Sequence, residues 1–136
     1  MDNSVVSIKL NTGAEMPAFG LGTWQAPAQE VETAVSSALR AGYKLIDAAA
    51  IYRNEPAVGS GIQKSGVKRE DIFLISKLWN TKHHPQDVEP ALDRTLKDLG
   101  TDYLDLYLMH WPEYVQTTPF AGTDRLVHPV KPQPDY

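Results

Sequence analysis

Apolar and polar positions change their spacing along this chain. Val6, Ile8 and Leu10 alternate with polar residues, and Asn11-Thr12-Gly13 precedes a short return through Met16. That pattern predicts a small hairpin over 5–18. A short strand, weakened by its glycines, is expected at 19–22. A helix should start near Pro27, a residue suited to the first helical turn. Val31, Ala34, Val35, Ala38 and Leu39 recur at helical spacing, and Gly42 is placed to end it. The second strand is 43–47. A second helix runs from Asn54 as N-cap, with Val58 and Ile62 on one face and Gly66 past its end. The continuous apolar run 72–78, broken only by Ser76 and Lys77, reads as a strand buried on both faces. A third helix over about 86–99 carries Val88, Leu92, Leu96 and Leu99 on one side, with Pro90 predicting an irregular first turn or a late start. The fourth strand is 103–109.

Strands that alternate with helices build a parallel sheet, either a closed barrel or an open doubly wound one. Gly20-Leu21-Gly22 lacks the third glycine of a dinucleotide fingerprint, and no phosphate loop follows any strand. The barrel is therefore preferred. A (β/α)8 barrel takes about 250 residues, so the chain reads as the α/β N-terminal half of one, ending in the loop after strand four. Pro119, Pro129, Pro132, Pro134 and Gly122 exclude a regular helix over most of 112–136, which reads as a long loop or tail.

The strands end on chemistry. Asp47, Lys77 and His110 close the second, third and fourth strands, and Tyr52 lies five residues beyond the first of them. In a parallel barrel the reactive groups gather where the strands end. Neighbouring strands lie about 4.8 Å apart, which brings Asp47 and Lys77 together. Asp47 as a mere helix cap is disfavoured, because the next helix starts later and Asn54 fills that role. Lys77 as a free strand end is disfavoured by its apolar neighbours Leu78 and Trp79, among which an unpaired ammonium is costly. A lone strand-end histidine is often a satisfied core residue. Here Trp24, Trp79 and Trp111 each stand close to a strand end, and an aromatic pocket with a few convergent polar groups is the usual makeup of a small-molecule site. The bland alternative is that the tryptophans only pack the barrel top. A phenol with a pKa of about 10 becomes a usable acid when an ammonium lies beside it.

Composition narrows the partners. The chain has 136 residues, 42% hydrophobic, a formal net charge of −4 and no cysteine. Disulfides, thiol catalysis and cysteine-ligated zinc fall away. No Lys/Arg run points to nucleic acid or an anionic membrane, so neither is expected as a partner. With no leader-like or spanning apolar run, a soluble cytoplasmic protein is the expectation. His83-His84 lacks an acidic partner at ligand spacing, and no metal is expected. Lys68-Arg69-Glu70-Asp71 reads as a solvated loop.

The segments GYKLIDAAAIYRNEPAVG, SKLW and YLDLYLMHWP, with GLGTW at the first strand, resemble the aldo-keto reductases from about Ser7 to Trp111. The resemblance implies a (β/α)8 barrel plugged at its bottom by the hairpin. It implies Tyr52 as general acid, Lys77 lowering its pKa, Asp47 paired with Lys77, and His110 orienting a small-molecule carbonyl. NADPH, or NADH, would give hydride to that carbonyl carbon. Trp24, Trp79, His110 and Trp111 would line the substrate pocket. Gly22, Thr23, Trp24 and Asp47 would meet the nicotinamide half of the cofactor. Family members are about twice as long, most contacts to adenine and phosphates come from the second half, and 112–136 would begin the loop bordering the substrate. The expectation for the isolated chain is no useful reductase activity and self-association through open sheet edges. Two other readings remain: a non-catalytic binding or regulatory relative that keeps the fold, and a barrel in which Lys77 forms a Schiff base.

Overall fold

A computed structural model describes residues 6–115. Val5 and the stretch 116–136 of the expected loop lie outside the described residues. The hairpin forms from β1 (Ser7–Lys9) and β2 (Glu15–Pro17), paired antiparallel with Ile8 opposite Met16. Then follow β3 (Leu21–Gly22), α1 (Ala28–Arg40), β4 (Leu45–Asp47), α2 (Glu55–Ser65), β5 (Phe73–Leu78), α3 (Pro85–Leu99) and β6 (Leu106–Met109). Strands β3 to β6 lie side by side in chain order, every pair parallel. A doubly wound sheet reverses its strand order at some point; this one does not, which is the barrel pattern.

Alternation along the strands separates two cores. Ile46 and Leu74 face the helices and pack with Val31, Val35 and Leu39 of α1, Val58 of α2 and Leu99 of α3. Leu45, Phe73 and Ile75 face inward and pack with Leu106 and with Leu10 and Met16 of the hairpin. Leu45, Phe73 and Leu106 each start a strand. The hairpin therefore covers the end of the sheet opposite Asp47, Lys77 and His110, as a plug would.

Three strands begin later than their apolar runs. The Tyr43 N–H donates to Ala38 at the end of α1, so pairing of β4 starts at Leu45. The Ile72 N–H donates back to Arg69, which delays β5 by one residue. The Tyr103 carbonyl turns to Arg69, and β6 starts at Leu106. Phe19 is spent on a ring contact with Tyr43, 4.9 Å between centroids, and β3 shrinks to two residues.

Arg69 corrects the reading of 68–71 as a solvated loop. Lys68 and Glu70 are exposed, but the Arg69 guanidinium is 20% exposed. It donates to Thr101 Oγ1, to the carbonyls of Ile72 and Tyr103 and to Asp105 Oδ2, and lies 4.0 Å from the Tyr103 ring centroid. Asp105 Oδ2 also accepts the Leu74 N–H, so one ion pair ties the starts of β5 and β6. Helix α3 starts at Pro85 and runs through Pro90, whose missing N–H and exposed ring are tolerated on the outer side. Its buried side chains are Thr95 and Leu99, whereas Val88, Leu92 and Leu96 are half-buried. In α1, Ala34 faces outward and Ser36 takes the buried position.

Helix α2 is wedged between its neighbours by two glycines. A Cβ on Gly61 would meet the Glu32 carbonyl and the Val35 side chain of α1, and one on Gly59 would lie 2.3 Å from the Leu99 carbonyl oxygen of α3. Gly59→Ala must push α2 and α3 apart, and overpacking of this kind costs about 1–3 kcal/mol. Urea unfolding should show that loss with the m-value unchanged; an unaltered midpoint would mean that the helices do not touch there.

Candidate active site

Asp47 and Lys77 are the last inward-facing residues of neighbouring strands. The Lys77 ammonium donates to Asp47 Oδ1 at 2.6 Å and to the Ala48 carbonyl at 2.9 Å. The lysine side chain is 14% exposed and the aspartate 37%. A cation so enclosed requires its partner charge, because an uncompensated buried ammonium is strongly destabilising. The pair thus holds the Lys77 ammonium aimed along the rim. Its ammonium stands 5.3 Å from the Tyr52 ring centroid.

Tyr52 ends a single 3-10 turn, Ala50–Tyr52, and the following Arg53 takes φ 58°. A left-handed conformation is uncommon for a non-glycine residue and marks a sharp change of chain direction. That change brings the phenol back over the sheet. Its ring meets the His110 imidazole edge to face at 5.6 Å and lies 6.4 Å from Trp24. The His110 N–H donates to the Leu78 carbonyl, prolonging the β5–β6 pairing by one residue. Burial, then the nearby Lys77 cation, holds its imidazole below the usual histidine range, with Asp47 acting in the opposite sense. A neutral His110 can present an N–H to an oxygen acceptor.

The three tryptophans divide. Trp79 is buried, 5.3 Å from His110 and 5.5 Å from Trp111; Trp111 is exposed, as is Trp24 next to Tyr52. Thr23 is 3% exposed, and both its N–H and its hydroxyl donate to the Asp47 carbonyl, fixing the chain after β3 against the acid. Gly22 pairs with Asp47 in register, and a Cβ there would meet nothing within 4 Å. The rim beside Asp47 is therefore open to a flat ring, which fits a nicotinamide. His83 and His84 lie against Tyr114, at 6.3 and 4.9 Å. Among the described residues no group of three or more His, Cys, Asp or Glu could hold a metal ion, and no helix is long and apolar enough to cross a membrane.

The roles of two asparagines escaped the sequence reading. Asn54 does occupy the N-cap position of α2, but its side chain makes no capping bond. Instead its Nδ2 donates to the Thr23 carbonyl at 2.7 Å, joining the Tyr52 segment to the chain after β3. Asn80 is fully buried. Its Oδ1 accepts the Trp111 N–H and its carbonyl accepts the Val115 N–H, so it clasps the chain after β6 onto the chain after β5. Residue type gave no signal for either role, since asparagine is equally common in turns.

The parallel half-barrel rim thus brings together an ion-paired lysine, a tyrosine and a histidine beside the buried Trp79. The family follows from comparison: residues 16–127 match the aldo/keto reductase family model, and the chain belongs to that family. It is 56% identical over 111 residues to D/L-glyceraldehyde reductase of Hypocrea jecorina, covering 78% of this chain and 34% of that protein. It is 50% identical over 131 residues to glycerol 2-dehydrogenase (NADP(+)) of Saccharomyces cerevisiae, covering 96% and 41%. Among solved structures, the Bombyx mori aldo-keto reductase in complex with NADP superposes with a TM-score of 0.79 at 43% identity, over 82% of this chain and 40% of that one. The chain thus spans between a third and just over two fifths of the length of these relatives.

The histidine's environment has a directional test. Lys77→Met removes one cause of the depression and should raise the His110 titration midpoint followed by NMR, whereas Asp47→Asn should lower it further. Because the folded state resists protonating His110, its contribution to stability is full above the unfolded midpoint of about 6.5 and declines as pH falls through that value. Shifts of the same sign in both variants would contradict the arrangement.

Proposed function

We propose that this chain carries the proton-delivery site of an NADPH- or NADH-dependent reductase that converts an aldehyde or ketone to an alcohol. The observation that carries the reading is the convergence of the Asp47–Lys77 pair, Tyr52 and His110 on one rim. When bound, the nicotinamide supplies hydride to the carbonyl carbon. The residues of this chain do the rest. His110, neutral, donates a hydrogen bond that orients the carbonyl oxygen. Tyr52 gives its phenolic proton to that oxygen, completing the alcohol. The Lys77 ammonium stabilises the charge left on the phenol, and Asp47 holds the ammonium in place. Gly22, Thr23 and Trp24, with Asp47, would receive the nicotinamide half. Trp24, Trp79 and Trp111 would enclose an apolar substrate flank. The relatives' names, a glyceraldehyde reductase and an NADP(+)-dependent glycerol dehydrogenase, support small carbonyl compounds and NADP chemistry.

The rim groups are one part of such a catalyst, so the reaction belongs to a reductase of the relatives' length that carries this sequence. In that protein Tyr52→Phe should lower aldehyde-dependent NADPH oxidation by about 10²–10⁴-fold and leave NADPH affinity unchanged. Undiminished turnover would sink the assigned roles. For the 136-residue chain alone we infer no turnover. On β6, Leu108 is 41% and Met109 66% exposed, and its only sheet neighbour among the described residues is β5. An unpaired apolar edge invites self-pairing, so sedimentation should show concentration-dependent association; a monodisperse monomer that oxidises NADPH with an aldehyde would refute both statements.

A further inference from the structure

Glu55 is a carboxylic acid on the helix side of the sheet, away from the open rim. It is the first residue of α2 and only 3% exposed. Fully buried acids are rare unless their oxygens are satisfied, and these are. Oε1 accepts the Ser76 hydroxyl at 2.6 Å, and Oε2 lies 3.3 Å from Thr95 Oγ1 on α3. Ser76 and Thr95 are themselves 0% and 1% exposed. Burial holds the carboxyl above the usual range, outweighing those two bonds.

The positions of these residues in the sequence give the bond its significance. Ser76 immediately precedes Lys77, and strand alternation sends the serine to the helices while the lysine faces inward. Glu55 lies three residues after Tyr52. Within the tyrosine's own turn the N–H groups of Tyr52 and Arg53 donate to Ala49 and Ala50. Those local bonds fix the shape of the turn but not its distance from β5. The Ala48 N–H donates to the Ile75 carbonyl and ties the chain entering the turn to β5, while the Glu55–Ser76 bond ties the chain leaving it, running from just behind the tyrosine to just behind the lysine. Thr95 braces it from the third side. Asn54 ties the same segment toward β3, so the phenol is held from two directions.

We propose that Glu55 is a positioning residue: its bond to Ser76, braced by Thr95, sets the separation between the Tyr52 phenol and the Lys77 ammonium. It touches no substrate. The role rests on the proton-delivery reading above, but its geometric part is measurable without turnover.

Two measurements test it. In the labelled 136-residue chain, the NMR cross-peaks between the Tyr52 and His110 rings should vanish in Glu55→Ala. They should persist in Glu55→Gln, whose amide oxygen still accepts the Ser76 hydroxyl. The Arg69–Tyr103 contact at the opposite end of the sheet reports that the fold is intact. In a reductase of the relatives' length, Glu55→Ala should lower kcat per NADPH-binding site by about tenfold or more, because small misplacements of reacting groups are that costly. The KM for NADPH should not move, and Glu55→Gln should restore most of kcat. Ring cross-peaks and kcat both unchanged in Glu55→Ala would overturn the proposal, as would a Glu55→Gln protein as impaired as Glu55→Ala. If Glu55→Ala does not fold, Ser76→Ala decides by the same readouts: displaced rings and a lowered kcat support the tie, and unchanged values overturn it. A reductase inactive toward every aldehyde, with rings displaced as expected, would sink the functional reading and leave the geometric role standing.

Discussion

The ion pair between Asp47 and Lys77 constrains everything around it. An ammonium placed among Leu78, Trp79 and the barrel interior is tolerable only beside a fixed opposite charge. That charge sits on the neighbouring strand, so the strands must be parallel and in the observed register for the two side chains to meet. Parallel strands in turn require helical crossovers, which the spacing of Val31, Val35 and Leu39, and of Val58 and Ile62, provides. The far end of the sheet can then be given to packing. There the hairpin buries Leu10 and Met16 against Leu45 and Phe73, while Arg69 and Asp105 fasten the strand starts.

Much of this was readable from the chain. Periodicity separated helices from strands because each helix buries one face, and the strand ends exposed Asp47, Lys77 and His110 because barrel topology places them together. The turn residues Asn11-Thr12-Gly13 located the hairpin. What could not be read depended on long-range partners. Arg69 looks like one member of a charged loop until Asp105, thirty-six residues on, is brought to it. Strand starts moved because Tyr43 and Tyr103 spend backbone groups on a helix end and on that arginine. Asn54 looked like a helix cap, yet its amide is committed to the Thr23 carbonyl, which only the fold brings near.

The same distinction runs through the site. Groups that carry the proposed chemistry announce themselves by type and position, whereas the groups that hold them are ordinary residues in unusual surroundings. Asn80 clasps the chain carrying Trp111, Thr23 pins the chain after β3 to Asp47, and the Glu55 carboxyl lies directly behind the tyrosine and lysine. Each of the three is buried, and each links two segments far apart in sequence. A proton-transfer site needs its groups within tenths of an ångström of the productive geometry, and side chains on short strands achieve this only when backed by such ties.

We infer that Asp47 and Lys77 act as one unit in serving Tyr52. A double-mutant cycle on kcat, with Asp47→Asn, Lys77→Met and the two combined in a reductase of the relatives' length, measures this directly. The pair acting as a unit predicts strong non-additivity: the double variant should be little slower than Lys77→Met alone, with a coupling of about 1–3 kcal/mol. Effects that add to within about 0.5 kcal/mol would show that the two residues act independently and would contradict the account.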